Sequence, residues 1–308
     1  MNILLTGASG QLGRELAPLL ASLGTVVGVD RDDRPGDDST VQQYLGEPRG
    51  VSVLLDRVNP DIVVNAAAYT AVDAAEDDPD TAFRLNAELP GWLAEWCAHR
   101  GAWLVHYSTD YVFAGDSSRP YREDDPTGAL NVYGQSKQAG ESAVSGSGCR
   151  YLLLRTSWVY SAHGHNFMLS MLRLAAERDR LRIVDDQLGC PTFARNLAAA
   201  SLRLLERVLP QASDQLAGLY HYCDRDAVSW FGFAGAVLET AMAKGLLDRL
   251  PELEAIGSDE FPQRARRPRY SVLDAGLIER TFGIERAPLL ASLESCLEEV
   301  KRASSQAP

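Results

Sequence analysis

Short apolar runs alternate with helix-like stretches through the first half of the chain. Five of these runs have consecutive apolar residues at their centre, namely 2–6, 25–30, 61–66, 102–108 and 150–156. Strands that are apolar on both faces are typical of a parallel sheet covered by helices on both sides. The first helix is expected to end at about Leu23. The pattern predicts an α/β fold with a Rossmann-type, doubly wound parallel sheet.

The pattern changes near residue 160, where helices begin to dominate. Helices are predicted at about 165–178, 193–209, 229–244 and 288–302, with short strands near 181–184 and 218–223. Residues 31–39 and 257–269 are predicted loops. We expect a first domain over 1–160, to which segments of about 180–225 return, and a smaller, mostly helical lobe over 161–302. Residues 303–308 are predicted to be a frayed tail.

Composition and charge exclude several classes of protein. The 308 residues carry a formal net charge of -12, which disfavours nucleic acid as a partner. Five scattered cysteines, without Cys-x-x-Cys spacing, predict buried reduced thiols rather than disulfides or a zinc site. The chain lacks a long apolar run and begins without a basic leader, so we expect a cytoplasmic protein that does not enter membranes.

A glycine-rich turn follows the first predicted strand. Gly7, Gly10 and Gly13 have the spacing at which a pyrophosphate can approach the backbone, with Gln11 and Leu12 opening the next helix. Asp30 closes the second strand, where a carboxylate can accept hydrogen bonds from an adenosine ribose. Arg31 could pair with a 2′-phosphate. The sequence therefore predicts a dinucleotide cofactor, either NADH or NADPH.

Tyr133 and Lys137 lie four residues apart in a predicted helix, so they share one face of it. A cation beside a phenol favours the phenolate and should lower the pKa of Tyr133. The spacing indicates a tyrosine that exchanges a proton with a substrate.

These features together resemble the extended short-chain dehydrogenase/reductase family, and the finer match is to its sugar-nucleotide reductases. The phrases that carry the resemblance extend over almost the whole chain: Gly10-Gln-Leu-Gly13, Val64-Asn-Ala-Ala-Ala-Tyr-Thr-Ala-Val-Asp73, Val105-His-Tyr-Ser-Thr-Asp-Tyr-Val-Phe113, Asn131-Val-Tyr-Gly134, Arg155-Thr-Ser-Trp-Val-Tyr160, Asn166-Phe167, Asp186-Gln-Leu-Gly-Cys-Pro-Thr192 and Gly218-Leu-Tyr-His221. The resemblance implies hydride transfer from NAD(P)H to the C4 carbonyl of a dTDP-linked 4-keto-6-deoxyhexose.

The resemblance also implies roles for individual residues. Tyr133 would donate the proton, Lys137 would stabilise the phenolate and hold the nicotinamide ribose, and Thr109 would bind the reacting oxygen. The cofactor would pass over the backbone of three small residues, Ala66, Ala67 and Ala68. The predicted substrate-binding residues of the second lobe and the strand ends are Thr109, Asp110, Trp158, Asn166 and Arg267, the last in the basic cluster 264–269. Guanidinium groups suit a diphosphate.

The chain departs from its relatives at several positions. Related dehydratases carry Asp-Glu after the threonine, whereas Tyr111 stands here, which favours a reductase. Gln43-Tyr44-Leu45 replaces an Asp-Leu pair that contacts adenine. Some relatives are dimers bridged by Mg²⁺ through glutamates; Glu15 matches one of these, but Arg195 stands where another is expected, so a homodimer is possible and no metal site is predicted. His163 and His165 have no ligand partner nearby in sequence and are assigned to a loop.

Two other functions stay open at this point. The chain could be an epimerase or ketoreductase that acts on another sugar nucleotide. It also resembles, through the same family, the regulatory β-subunit of methionine adenosyltransferase, which is not catalytic. The intact set of Thr109, Tyr133 and Lys137 disfavours a purely regulatory protein, since a binding subunit needs no proton donor.

Overall fold

The computed structural model describes residues 1–31, 40–211 and 214–306. The predicted loop 31–39 lies outside the described residues except for Arg31, and so do the last two residues of the predicted tail.

Seven parallel strands form the central sheet, in the order β11-β6-β5-β4-β1-β2-β3. The chain order of strands reverses between β1 and β4, and a crevice opens at such a switch point, at the carboxyl ends of the strands. The sheet strands are β1 Asn2–Thr6, β2 Thr25–Asp30, β3 Thr40–Gln42, β4 Ile62–Asn65, β5 Trp103–Thr109, β6 Arg150–Thr156 and β11 Gly218–His221. This arrangement confirms the predicted fold class, and only β3 was absent from the predicted sheet.

Helices cover both faces of the sheet. Alternate side chains of a strand point to opposite faces, so Leu5 and Val105 pack against one helical layer while Leu4 and Leu104 pack against the other. The first layer contains α1, α8 and α10, and the second contains α2, α5 and α6. The helices are α1 Gln11–Leu20, α2 Pro48–Val58, α3 Val72–Ala75, α4 Pro79–Phe83, α5 Leu89–Arg100, α6 Val132–Gly146, α7 Phe167–Glu177, α8 Ala194–Val208, α9 Trp230–Ala243, α10 Gly276–Phe282 and α11 Leu289–Gln306.

A second core lies in the C-terminal part of the chain. Aromatic residues including Tyr160, Phe193 and Phe233 form it with α7, α9 and α11. Three small two-stranded sheets complete this lobe: β7 Val159–Tyr160 with β10 Thr192–Phe193, β9 Leu188–Gly189 with β12 Val228–Ser229, and β8 Arg180–Val184 with β13 Glu252–Ile256. Because β11 pairs with β6 and α8 packs on α1, segments of this part of the sequence also contribute to the first core.

Three elements differ from the sequence-based expectation. Strand β13 was missed because Glu252 and Glu254 alternate with apolar residues on a short strand, where Arg180 pairs with both carboxylates. Helix α10 was also missed. Helix α11 continues to Gln306, beyond the predicted start of the tail, and the hydroxyl groups of its last serines donate to backbone carbonyls four residues earlier.

The cysteines agree with the expectation, and the helices were compared with the length and hydropathy of a membrane span. All five cysteines are free and buried, as predicted. Within the described ranges, none of the helices is long and apolar enough to cross a membrane.

A buried ion pair joins α6 to β6. Arg155 donates to both carboxylate oxygens of Glu141, at 2.8 and 2.7 Å, and the two side chains are only 5% and 10% exposed. We predict that Arg155→Met lowers the free energy of unfolding by about 3–5 kcal/mol, because an uncompensated carboxylate stays buried. The double variant Arg155→Met/Glu141→Leu should lose much less. Urea denaturation of the three proteins measures this, and equal losses in the single and double variants would contradict the argument.

Candidate active site

A cavity of about 610 Å³ lies at the carboxyl ends of the parallel strands. Its walls come from the turn after β1, the end of β2, the residues after β4 and the start of α6. This is the position at which open α/β sheets bind their ligands. The cavity contains most of the predicted cofactor residues and both Tyr133 and Lys137.

The glycine-rich turn has little room for side chains. Gly7 has a φ of +65°, and a Cβ there would lie 2.7 Å from the Ala67 nitrogen. A Cβ at Gly13 would overlap the carbonyl oxygen of Gly7. Gly10 precedes α1 and offers no side-chain cap, so the first N–H groups of α1, from Gln11 and Leu12, are left for another acceptor. This geometry suits a pyrophosphate at the helix N-terminus.

Asp30 faces the cavity at the end of β2. Its Oδ2 accepts hydrogen bonds from the Ser9 backbone nitrogen, at 2.9 Å, and from the Ser9 hydroxyl, while its Oδ1 accepts from the Arg31 nitrogen at 2.7 Å. The carboxylate is therefore fixed in one orientation. Arg31 and the three residues that replace the family's adenine-contacting pair, Gln43, Tyr44 and Leu45, line the same end of the cavity.

The cavity beyond β4 is lined by Ala66, Ala67 and Ala68. The segment that begins with these alanines is held in place by Asn86, which was not predicted as a site residue from the sequence. Asn86 is fully buried; its Oδ1 accepts from the Tyr69 nitrogen at 2.9 Å, and its Nδ2 donates to the Tyr69 carbonyl at 3.0 Å. Asn86 lies in a π-helical turn, Arg84–Glu88, a feature that is frequent at functional sites. An asparagine inside an otherwise helical stretch was the available signal.

The same Asn86 amide reaches the helix that carries Tyr133. Its Nδ2 also donates to the Ser136 hydroxyl at 3.0 Å, and that hydroxyl donates to the Tyr133 carbonyl at 2.8 Å. A Cβ at Gly140 would overlap the Asn86 carbonyl, so α6 packs directly on the π-helical turn. Asn86 therefore fixes the loop after β4 relative to α6.

Tyr133, Lys137 and Thr109 converge where β5 ends. Asn131 caps α6 by accepting from the Gly134 nitrogen at 2.8 Å, which sets the first turn of the helix. The side chain of Thr109 lies near the phenol of Tyr133. Lys137 is 3% exposed and donates from Nζ to the Tyr107 carbonyl at 2.5 Å. Both members of the predicted pair thus point into the protein.

The prediction that Lys137 lowers the pKa of Tyr133 is wrong for this structure. Burial raises the pKa of Tyr133 to about 12, with a smaller opposing effect of the Thr109 side chain. Burial also lowers the pKa of the Lys137 ammonium to about 8. Desolvation is the largest cause of both shifts, so the phenol stays protonated at neutral pH.

Further polar groups lie beside Tyr133 and Lys137, namely the carboxyl group of Asp110 and the hydroxyl groups of Ser108 and Thr156. Burial raises the pKa of Asp110 to about 7, although it accepts a hydrogen bond from the Thr109 hydroxyl at 3.0 Å. Ser108 and Thr156 line the cavity, and neither hydroxyl has a hydrogen-bond partner among the described residues. Neither residue was assigned a role from sequence. Buried hydroxyl groups that face a cavity in this way indicate a polar ligand.

Arg267 lies near Tyr133 but is already paired. Its Nη2 donates to Asp73 Oδ2 at 2.7 Å, and it is hydrogen-bonded to Tyr111, whose ring packs edge-on against Tyr133 at 6.0 Å. Burial alone would raise the pKa of Asp73, but this hydrogen bond and those from backbone nitrogens hold it below its usual value. Arg264 pairs with Asp77 in the same way.

Trp158 adopts a strained backbone next to the cavity. Its φ is +46°, in a region that non-glycine residues seldom occupy, and its ring stacks on Trp230 with centroids 3.5 Å apart. A Cβ at Gly189 would lie 2.5 Å from the Trp158 ring, so glycine is required behind it. The Trp158 indole nitrogen is buried and has no hydrogen-bond partner in the described part of the chain.

Asn166 is hydrogen-bonded to protein groups through its side-chain amide. Its Oδ1 caps α7 by accepting from the Leu169 nitrogen at 3.0 Å. Its Nδ2 donates to Gln11 Oε1 and to the Ser161 carbonyl, both at 2.9 Å. Protein groups thus bind both ends of the amide, and a substrate contact of Asn166 stays a prediction.

Comparison with known proteins agrees with this geometry. The family model described as RmlD substrate binding domain matches residues 1–302. The chain belongs to this family. The dTDP-4-dehydrorhamnose reductase of Burkholderia thailandensis is 43% identical over 289 residues, which are 92% of this chain and 94% of that protein. The enzyme of the same name from Escherichia coli K12 is 41% identical over 286 residues, covering 92% and 93% of the two chains.

Solved structures in the family have the same fold. A dTDP-4-dehydrorhamnose reductase from Clostridium acetobutylicum superposes with a TM-score of 0.86 at 31% identity, covering 98% of this chain and 100% of that one. The enzyme of that name from Bacillus anthracis, in complex with NADP, has a TM-score of 0.83 at 31% identity and covers 98% of each chain. The family assignment from sequence is confirmed.

The surroundings of Glu15, which matches a glutamate of the metal-bridged relatives of this family, do not fit Mg²⁺ here. Arg195 pairs with Glu15 Oε2 at 3.0 Å and with Glu299 Oε1 at 2.5 Å, so a guanidinium already compensates both carboxylates. His163 does have acidic neighbours in space, contrary to the expectation from sequence, since Glu15, His163 and Glu299 offer ligand atoms within 4.8 Å of one another. Mg²⁺ prefers six oxygen ligands, which this set does not supply.

We predict that the reductase rate of the wild-type protein is the same in excess EDTA and in excess MgCl₂. Arg195→Gln removes the positive charge between Glu15 and Glu299. The variant should have a lower Tm in EDTA that rises on addition of MgCl₂, while the wild-type Tm stays constant. Loss of wild-type activity in EDTA would contradict the assignment of Arg195 as the internal counter-charge.

Proposed function

We propose that this chain reduces dTDP-4-dehydro-L-rhamnose to dTDP-L-rhamnose, as a dTDP-4-dehydrorhamnose reductase that uses NADH or NADPH. The observation that carries the proposal is that Tyr133 and Lys137 line the same cavity as the glycine-rich turn, with Thr109 beside Tyr133. The relatives from Burkholderia thailandensis and Escherichia coli K12, each matched over 92% of this chain, bear this enzyme name. This would be the last step in the synthesis of dTDP-rhamnose.

The cavity supports an extended cofactor along the strand ends. The N-terminus of α1 would bind the pyrophosphate, and the fixed carboxylate of Asp30 would accept hydrogen bonds from the adenosine ribose. Arg31 lines the same end and can pair with a 2′-phosphate, which is why we propose that either reduced cofactor serves. Ala66, Ala67 and Ala68 leave space for the nicotinamide half.

Bound NAD(P)H supplies the hydride to C4 of the sugar. Tyr133 donates its phenolic proton to O4 as negative charge develops there, and Thr109 holds the same oxygen in line. Lys137 carries its positive charge below a pH of about 8 and stabilises the phenolate that Tyr133 becomes. A phenol with a pKa near 12 stays protonated until the alkoxide forms, which suits a proton donor.

The neighbours of Tyr133 favour reduction over dehydration. At the position after Asp110, where dehydratases carry a glutamate, Tyr111 is buried and hydrogen-bonded to Arg267. A phenol bound to a guanidinium cannot replace a carboxylate base. We propose that Arg267, held by Asp73, contributes positive charge toward the diphosphate of the substrate, and that Trp158 lies against the sugar.

A substrate panel tests the proposed reaction. Purified protein is mixed with NADH or NADPH and with 4-keto-6-deoxy sugars on dTDP or UDP, and loss of absorbance by the reduced cofactor is measured. We expect the fastest turnover with dTDP-4-dehydrorhamnose. Absence of turnover with every sugar would move the assignment to a regulatory subunit, and faster turnover of another sugar would move it to a different reductase.

Removing the phenolic oxygen of Tyr133 tests its role as the proton donor. We predict that Tyr133→Phe lowers kcat by roughly 10²–10⁴-fold, because general acid catalysis is lost, while the Kd of the reduced cofactor changes by less than about threefold. Tyr220→Phe is the matched control, since Tyr220 lies in β11 at the far edge of the sheet and its hydroxyl donates to the Leu216 carbonyl. Near-normal turnover of Tyr133→Phe would remove the tyrosine from the mechanism.

The pKa of Lys137 predicts how kcat/KM depends on pH. Burial lowers this pKa to about 8, so the ammonium is present below that pH and lost above it. We predict that kcat/KM of the wild type falls about tenfold per pH unit above pH 8. Lys137→Met should be slow and lack this alkaline decline, whereas Lys244→Met, in an exposed ion pair with Glu298, should retain it. An alkaline decline that persists in Lys137→Met would assign the titration to another group.

A further inference from the structure

The Gln11 side chain forms a bridge from the glycine-rich turn to the second lobe. Gln11 is the first residue of α1 and lines the cofactor cavity. Its Oε1 accepts hydrogen bonds from the Asn166 amide at 2.9 Å and from the Ser161 hydroxyl at 3.2 Å. Its Nε2 donates to the His165 carbonyl at 3.3 Å. All three partners lie in loop 161–166, which connects β7 to α7.

Loop 161–166 is folded around this glutamine. Ser161 is fully buried, and its hydroxyl also contacts the backbone of His163. Gly164 has a φ of +69°, and a Cβ there would lie 3.2 Å from Gln11 Cγ. Asn166 closes the loop by capping α7. The Gln11 side chain therefore occupies the centre of the loop and is hydrogen-bonded to three of its residues.

Aromatic residues beside the active site lie close in sequence to both ends of loop 161–166. Trp158 directly precedes β7, and Phe167 is the first residue of α7. Phe167 packs on Trp230 with ring centroids 4.6 Å apart, and Trp230 stacks on Trp158. A shift of the loop would thus change the packing of the indole that we assign to the sugar side of the site.

We propose that Gln11 is a positioning residue that couples cofactor binding to sugar-nucleotide binding. A pyrophosphate bound to the N–H groups at the start of α1 fixes the backbone of Gln11. The fixed side chain orders loop 161–166, and the loop holds Phe167, Trp230 and Trp158 in the arrangement that accepts the sugar. Such coupling is reciprocal, so the sugar nucleotide tightens cofactor binding by the same factor. The inference rests on the proposed position of the cofactor.

The test measures coupling in a complex that cannot react. NADH and dTDP-L-rhamnose are both reduced, so the Kd of NADH can be titrated by its fluorescence with and without the sugar nucleotide. We expect dTDP-L-rhamnose to lower this Kd about fivefold or more in the wild type. In Gln11→Met, which keeps the length of the side chain but not its hydrogen bonds, the ratio of the two Kd values should be close to one.

Two further variants separate coupling from folding. Asn166→Asp keeps an oxygen that can cap α7 but removes the donor to Gln11, and it should lose the coupling as well. The double variant should lose no more than either single one, since both remove the same bridge. Gln211→Leu, an exposed glutamine beyond α8, should keep the wild-type ratio. A wild-type Tm in each variant shows that the fold is intact.

The outcomes distinguish this inference from the function on which it rests. Absence of NADH binding by the wild type would contradict the proposed cofactor site itself. Normal NADH binding with a wild-type coupling ratio in Gln11→Met would overturn only the role of Gln11. Loss of NADH binding in Gln11→Met without the sugar nucleotide would make the side chain a direct cofactor ligand and would overturn the coupling role too.

Discussion

Asn86 contributes a buried amide whose hydrogen bonds hold two halves of the active site together. It binds both backbone groups of Tyr69, after β4, and the hydroxyl of Ser136, on α6. Since the side chain is fully buried, each of these bonds replaces one that water can no longer offer. The loop over which the cofactor would lie and the helix that carries Tyr133 therefore keep a fixed separation.

Burial also sets the protonation states on which the proposed chemistry depends. Desolvation raises the pKa of Tyr133 to about 12 and lowers that of Lys137 to about 8, while Asp110 moves to about 7. At neutral pH the site therefore holds a protonated phenol, a charged ammonium and a carboxyl group close to its midpoint. A proton can leave the phenol only when charge develops on a substrate oxygen next to it, as in carbonyl reduction.

The sequence was sufficient for the parts of the fold that depend on local pattern. Apolar runs located six of the seven strands of the main sheet, and glycine spacing located the turn after β1. It was not sufficient where distant segments meet. The contacts of Asn86 with Tyr69 and Ser136, and of Arg195 with Glu299, join residues 17 to 104 positions apart. The sign of the Tyr133 pKa shift likewise depends on burial, which the Tyr-x-x-x-Lys spacing does not reveal.

The central claim is geometric: the hydroxyl of Tyr133 must lie next to the oxygen that receives the proton. A crystal structure of the wild-type protein with NADH and dTDP-L-rhamnose tests it most directly. We expect Tyr133 Oη within about 2.6–3.2 Å of the sugar O4, with the nicotinamide ring over C4 of the sugar. A sugar bound with O4 directed away from Tyr133, toward Asp110 or solvent, would contradict it.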